Sequence, residues 1–344
     1  MSIVRSEIQT VYGPANISDT PSNGGRMTSN VIPDAVLGNL FPPAGSAELT
    51  AGSQRFRKAY YKNENIEIPP IAPPTGIALQ FARIFVERFT PGEDEYMIFE
   101  GTQLDTENDL TGSEPLYGCG QLNADVTGGA TSVDVAVHDW SAFPIFRNGD
   151  LIRLSNKADI DATGLTEFVR IHPVTAITES LDVVTLPLET ALVNSFLAVN
   201  TRVLSVIESG DVIADFDTFI VTSGATGTYD EIGNPVEHDN VATIQQAWTL
   251  DFTSATNYDL TGDIVGAVAS GNVSSDFGPT NSDFGRPYFT LRSAGFGGTF
   301  QAGDTITFNT SPASRGIWAL RDIPAGSSSF SGNDATTQFE GESG

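Results

Sequence analysis

The chain predicts a mainly β protein, with β-sandwich or barrel-like domains and an extended N-terminal arm. Three observations carry that expectation. Glycine (34) and proline (19) are plentiful among 344 residues, as tight turns between many short strands require. Val, Ile, Thr and Phe recur throughout, and these side chains fit a pleated, half-buried surface. Strict alternation appears at residues 132–138, where Val133, Val135 and Val137 are interleaved with Asp134 and Ala136. Hydrophobic residues make up 40% of the chain, enough to bury cores.

Taken in order, residues 1–50 read as the arm. Residues 12–27 string together turn formers with little core material, and residues 34–41 offer one helical turn before Pro42-Pro43 stops it. Ile32, Val36, Leu40 and Phe41 need somewhere to pack, so an arm ordered on a neighbour is expected. Residues 54–62 form a basic, aromatic strand. The stretch 68–76 holds four prolines, which remove four ladder donors, so a polyproline-like connection is expected there. Residues 77–89 are a strand ending at the turn Thr90-Pro-Gly-Glu-Asp94, with 96–99 as its partner. Strands at 122–126 and 132–138 flank a turn at 128–131. Four Gly-Asp pairs, at Gly149, Gly210, Gly262 and Gly303, each stand before a strand, with glycine supplying positive φ and aspartate bonding the local backbone. Their spacings are unequal, so they mark a reused turn and not a repeat.

These signals divide the chain into the arm (1–50), a main β domain (51–221), an acidic loop or linker (222–245) and a C-terminal β-sandwich-like domain (246–344). The last would take strands near 247–252, 258–261, 288–291, 305–308 and 316–320.

The formal charge of −26 is uneven. Residues 1–88 carry eight basic and seven acidic residues, leaving nine basic and 36 acidic residues to the remainder. Such a surface repels phosphates, so sequence-specific nucleic-acid binding is not expected. Either it is a solvated surface that keeps an abundant protein soluble, or it lines a path along which DNA slides without sticking. No apolar run approaches the roughly 18 residues a bilayer crossing needs, so no membrane partner is expected. The first residues lack the basic-then-apolar layout of a secretory signal. A lone cysteine, Cys119, forms neither an intrachain disulfide nor a thiolate cluster, which fits folding in a reducing cytoplasm.

Catalytic signals are sparse. His138 closes a strand, His172 precedes Pro173 and His238 sits in the acidic loop; no pair has metal-ligand spacing. No Gly-x-Ser-x-Gly elbow anchors a hydrolytic triad. Gly295-Phe-Gly-Gly298 lacks the third glycine of a nucleotide fingerprint, and hairpin glycine is the better reading. Asp159, Asp161 and Gly164 stand at EF-hand-like offsets, but position twelve is Arg170, where a bidentate glutamate is required. Asp230, Glu231, Glu237 and Asp239 crowd one loop, where a hard cation competes with simple solvation as an explanation. Tyr60, Tyr61, Trp140, Trp248 and Trp318 lie in or beside apolar strands and are expected in cores or interfaces, not on a carbohydrate-binding face. No catalytic, cofactor-binding or metal residue is assigned, no cofactor is expected, and the chain is read as non-enzymatic.

Several phrases resemble a family of virion structural proteins of tailed phages, Mu-like ones included. They are Tyr12-Gly-Pro-Ala-Asn16, Asn23-Gly-Gly-Arg-Met-Thr28, Leu49-Thr-Ala-Gly-Ser-Gln-Arg-Phe-Arg-Lys-Ala59 and Phe89-Thr-Pro-Gly-Glu-Asp94. Gly101-Thr-Gln-Leu-Asp-Thr106, Gly112-Ser-Glu-Pro-Leu-Tyr-Gly118, Asp150-Leu-Ile-Arg-Leu-Ser-Asn-Lys157, Ile323-Pro-Ala-Gly326 and Phe339-Glu-Gly-Glu-Ser343 continue the likeness along nearly the whole chain. The resemblance carries no active-site residue. It implies a multi-copy virion subunit made in the host bacterial cytoplasm, with copies of itself and other virion proteins as partners. A ring in the tail or tail-associated machinery (tube, collar or baseplate) is the first expectation. A decoration or cement protein on the head is the alternative, and a carbohydrate-binding adhesin is a third.

Overall fold

Strands take up 45% of the chain and helix 5% in the computed structural model, which describes residues 2–66, 76–159 and 161–344. The stretch expected to be a polyproline-like connection lies outside the described residues, apart from Gly76. The fold is mainly β, in several antiparallel sheets packed face to face.

A five-stranded sheet, ordered β2-β1-β3-β23-β5, forms the central layer. Its strands are β1 (Val11–Asn16), β2 (Gly24–Ile32), β3 (Ser53–Lys62), β5 (Glu95–Gly101) and β23 (Ser314–Ile323). On one face Phe56, Met97, Phe99, Trp318 and Leu320 join the largest core. On the other, Ala59, Tyr61, Ile98, Ile317 and Ala319 join a second core with Ile84 and Val86. Both faces are buried, so β5 and β23 read as continuous apolar runs without alternation.

The first face packs on a seven-stranded sheet, ordered β10-β11-β7-β6-β12-β8-β9. It comprises β6 (Cys119–Leu122), β7 (Ser132–Ala136), β8 (Leu151–Ser155), β9 (Thr166–Arg170), β10 (Thr178–Ser180), β11 (Val183–Pro187) and β12 (Arg202–Ser205). The second face packs on a three-stranded sheet in which β4 (Leu79–Arg88) runs between β13 (Ile207–Val212) and β24 (Thr336–Ser343). The opposite side of β4 carries Phe85, which meets Leu151 and Leu204 of the seven-stranded sheet and closes the stack into a barrel-like arrangement.

A fourth sheet is ordered β14-β22-β16-β17-β18, from β14 (Asp215–Thr222), β16 (Gln246–Phe252), β17 (Asn257–Gly262), β18 (Gly266–Asn272) and β22 (Thr305–Ser311). Its core alternates along β16, where Trp248, Leu250 and Phe252 are buried, and is covered by Phe277, Phe289, Leu291 and Phe300. Two ribbons, β15 (Thr228–Tyr229) with β21 (Phe296–Gly297) and β19 (Thr280–Asn281) with β20 (Arg286–Pro287), complete the described strands. One short α-helix, α1 (Ser46–Ala51), and four single 3-10 turns stand among the described residues.

The structure differs from the sequence expectation in four places. Much of the expected arm is a hairpin: β1 pairs with β2 and also with β3, and Tyr12, Asn23 and Met27 are buried. Glycines at positive φ (Gly24, Gly25) let turn-rich sequence make bulged strands there. The expected hairpin of 77–89 with 96–99 does not form, because the turn at 90–94 carries the chain from the three-stranded to the five-stranded sheet. Residues 236–244 are no exposed linker: Val236, His238, Asp239, Asn240, Ala242, Thr243 and Ile244 are buried in the seam between the fourth sheet and the rest. The C-terminal domain boundary also moves, since β14 joins the fourth sheet while β23 and β24 return to the central layers.

The Gly-Asp device is realised at two of its four positions. Gly149 and Gly303 have positive φ, and Asp150 and Asp304 accept the backbone N–H of Arg147 (2.8 Å) and Gln301 (3.0 Å) just before β8 and β22. Gly210 instead sits in a bulge within β13, and Gly262 ends β17.

Candidate functional site

The candidate residues serve mainly as internal ties. Cys119 starts β6 against Phe85, Leu151 and Leu204, and burial pushes its thiol far above the ordinary range, the wrong direction for a nucleophile. His138 Nδ1 lies 3.3 Å from Glu95 Oε1, linking the seven-stranded and central sheets. His172 Nδ1 accepts the Thr175 N–H at 3.0 Å and shapes its own loop. His238 is buried, with Val236 O 2.9 Å from Nδ1 and Ala214 O 3.1 Å from Nε2.

The acidic groups are dispersed among different partners. Asp161 pairs with Arg5 at 2.5 Å and Arg170 with Glu208 at 2.8 Å, while Gly164 packs on Asn156 and Lys157. Asp159 stays in the same loop, and its charge acts with that of Asp161 on the Arg5 guanidinium. In the other loop Asp230 accepts the Gly233 N–H (3.0 Å), Glu237 binds Arg292 (2.6 Å) and Glu231 lies half-buried in the turn between them. Asp239 binds Arg286 Nε (2.6 Å) and the N–H groups of Val241 (2.9 Å) and Ala242 (2.6 Å). Among the described residues no three His, Cys, Asp or Glu side chains converge as a metal site.

The aromatics lie in cores. Tyr60, Tyr61, Trp248 and Trp318 are buried, and Trp140 stacks on Phe146 at 6.4 Å between ring centroids. Gly295 is pressed against the Tyr229 ring, and Gly297 lies on β21, which pairs with the distant residues 228–229 and is therefore not the expected hairpin. Gly298 has φ +65°, and a Cβ there would meet Thr226 O at 1.8 Å.

Sequence reasoning missed the buried charge. Lys58, Lys62, Glu87 and Arg153 are all buried in strands. Glu87 on β4 binds Arg153 of β8 and, at 3.2 Å, Arg202 of β12. Lys62 Nζ donates to Val241 O at 2.5 Å and lies over the rings of Phe284 (3.7 Å) and Tyr12 (4.9 Å), so it clasps the seam to the central sheet. Burial lowers its ammonium to about 8, against the opposing pull of Glu64 and Asp239. The only signal in the sequence was the run of basic residues inside an aromatic strand, which a surface reading also explains.

One cavity, of about 260 Å³, opens between the loops 37–49 and 327–333. Leu37, Phe41, Leu49 and Phe330 form its apolar wall. Its polar floor is mutually satisfied: Arg321 Nε binds Asp94 at 2.6 Å, and Asn333 donates to the other oxygen of Asp94. Such a recess offers shape and apolar surface, with no unpaired acid or base for chemistry.

Among the described residues no helix is long and apolar enough to cross a membrane. No protein-family model, no curated protein and no solved structure matches the chain.

Proposed function

We propose that the chain is a non-enzymatic structural subunit of a tailed-phage virion, seated in the tail or its associated machinery as part of a multi-copy ring. One observation carries this reading: the side chains best equipped for chemistry tie sheets and loops together. Glu87 joins two sheets through two arginines, Lys62 clasps the seam, and Glu237 and Asp239 hold Arg292 and Arg286. A scaffold cross-braced this way suits a part whose task is to hold shape, and the phrase-level resemblance supports the same particle. The acidic exterior is compatible with a path for DNA, since like charge prevents sticking.

The strand edges bear on how copies would meet. Register shifts interrupt the pairings β1–β2, β4–β13, β14–β22, β17–β18 and β4–β24. Bulges of this kind discourage edge-to-edge pairing, so copies would meet through loops and faces. Imaging of intact virions labelled with an antibody to this chain tests the proposal. Label on tails with ring-shaped oligomers of the purified chain is the expected result. Label on heads alone would favour the decoration reading, and release of sugar from host polysaccharide would overturn the structural one.

A further inference from the structure

We propose that Lys58 and Asp105 become joined by a side-chain amide, a covalent staple between β3 and the loop after β5. Lys58 is fully buried and stands directly opposite Trp318 across the β3–β23 pairing. Its Nζ contacts Asp105 Oδ1 and donates to the Asp105 main-chain oxygen at 2.8 Å. The nearest further acceptor is Gly25 O at 3.4 Å. One residue thus supplies both the electrophile and the anchor that holds the amine.

The other carboxylate oxygen is prepared for addition. Asp105 Oδ2 accepts the Thr102 N–H and the Trp318 Nε1–H, each at 3.1 Å. Two donors at that atom stabilise the negative charge that gathers there when nitrogen adds to the carbonyl carbon. The pocket is closed by aromatic rings: Nζ lies 5.6 Å from the Trp318 centroid and 5.2 Å from that of Tyr60. Gly24 and Gly101 seal it at close range, since a Cβ on either would press on Trp318 at 2.8 or 2.6 Å.

The step balances without a co-reactant. A proton passes from the Lys58 ammonium to Asp105 Oδ1, leaving an amine and a carboxylic acid. Nitrogen then adds to Cγ, and Oδ2 takes the charge between its two donors. A second proton moves from nitrogen to Oδ1, which departs as water, and the amide remains. Burying two opposite charges is costly in a dry site, and the product removes both. Desolvation also lowers the Lys58 ammonium, which favours the amine.

Intact-mass spectrometry of the denatured full-length chain tests this directly. The expected mass is the sequence mass less one water, and digestion should yield a branched peptide containing Lys58 and Asp105. Lys58→Met and Asp105→Ala should each restore the full mass, while Asp105→Asn should close with loss of ammonia. A wild-type chain at its full sequence mass, with no branched peptide, overturns the proposal whatever the variants do. The outcome is independent of the particle to which the chain belongs.

Discussion

Glu87 and Arg153 form an ion pair sealed between two sheets, with side chains only 3% and 5% exposed. Arg202 reaches the second oxygen of Glu87, and Arg153 also lies 4.8 Å over the Phe85 ring. A single carboxylate therefore pairs with two guanidinium groups. Removing it in Glu87→Ala strands Arg153 and leaves Arg202 only the Lys157 main-chain oxygen, and breaking such a pair from one side costs roughly 3–5 kcal/mol. Urea denaturation of the variant checks this, and a loss under about 1 kcal/mol would show that solvent reaches the arginines.

Lys62 gives a pH signature. Its folded value of about 8 lies below the ordinary 10.5, so between these the unfolded chain holds more protons than the folded one. Stability from this site should therefore rise as pH climbs from about 8 towards 10.5, by on the order of 3 kcal/mol. Comparison with Lys62→Met cancels the tyrosines, which titrate in both proteins. The wild type should gain on the variant across that range. A stability difference that stays constant with pH would refute the assignment.

How much of this was legible beforehand depends on where burial comes from. Strands β3, β4, β5, β7, β16 and β22 follow from local apolar pattern and stand close to where that pattern placed them. Their partners do not follow. Trp318 lies opposite both Lys58 and Phe99, residues more than 200 positions away, and no local signal fixes such a pairing. Turn chemistry misled at Gly24-Gly25, which permit a bulged strand as readily as a loop. Polarity misled at residues 236–244, where His238, Asp239 and Asn240 are buried because the seam supplies their partners. The histidines and loop acids were recognised from their type, the buried Lys58, Lys62, Glu87 and Arg153 were not, and the partners Arg286, Arg292, Ala214 and Glu95 come from other segments.

The hairpin changes what truncation should do. An arm of residues 1–50 ordered on a neighbour would be dispensable for folding and needed only for assembly. Val11 and Tyr12 instead pair with Tyr61 and Tyr60, and Asn23 Nδ2 donates to Phe56 O at 2.9 Å. Arg57 loses Ser18 O and Asp19, and Tyr60 loses its cover. Losing the burial of Tyr12 and Met27 and uncovering Tyr60 forfeits roughly 1.5–3 kcal/mol for each side chain. The sum is comparable with the roughly 5–15 kcal/mol that holds a typical domain. Deletion of residues 1–32 should therefore give a chain that is largely unfolded, seen as loss of cooperative melting and rapid proteolysis. A truncated chain that melts like the full-length protein would restore the arm.

Glu95 supplies the opposite pH dependence. Burial raises its carboxyl from 4.5 to about 7, helped by Asp94 and Asp322 and opposed by His138. The folded chain then holds the extra proton between these values, so the contribution is complete below about 4.5 and fades as pH rises through about 7. The full swing is at most about 3 kcal/mol, and partial exposure of the group reduces it. Glu95→Gln keeps the shape and removes the titration. The variant should match the wild type near about pH 4 and exceed it near about pH 8 in urea denaturation. If the two proteins keep the same difference at both values, Glu95 is ionised throughout, with the His138 contact outweighing its burial.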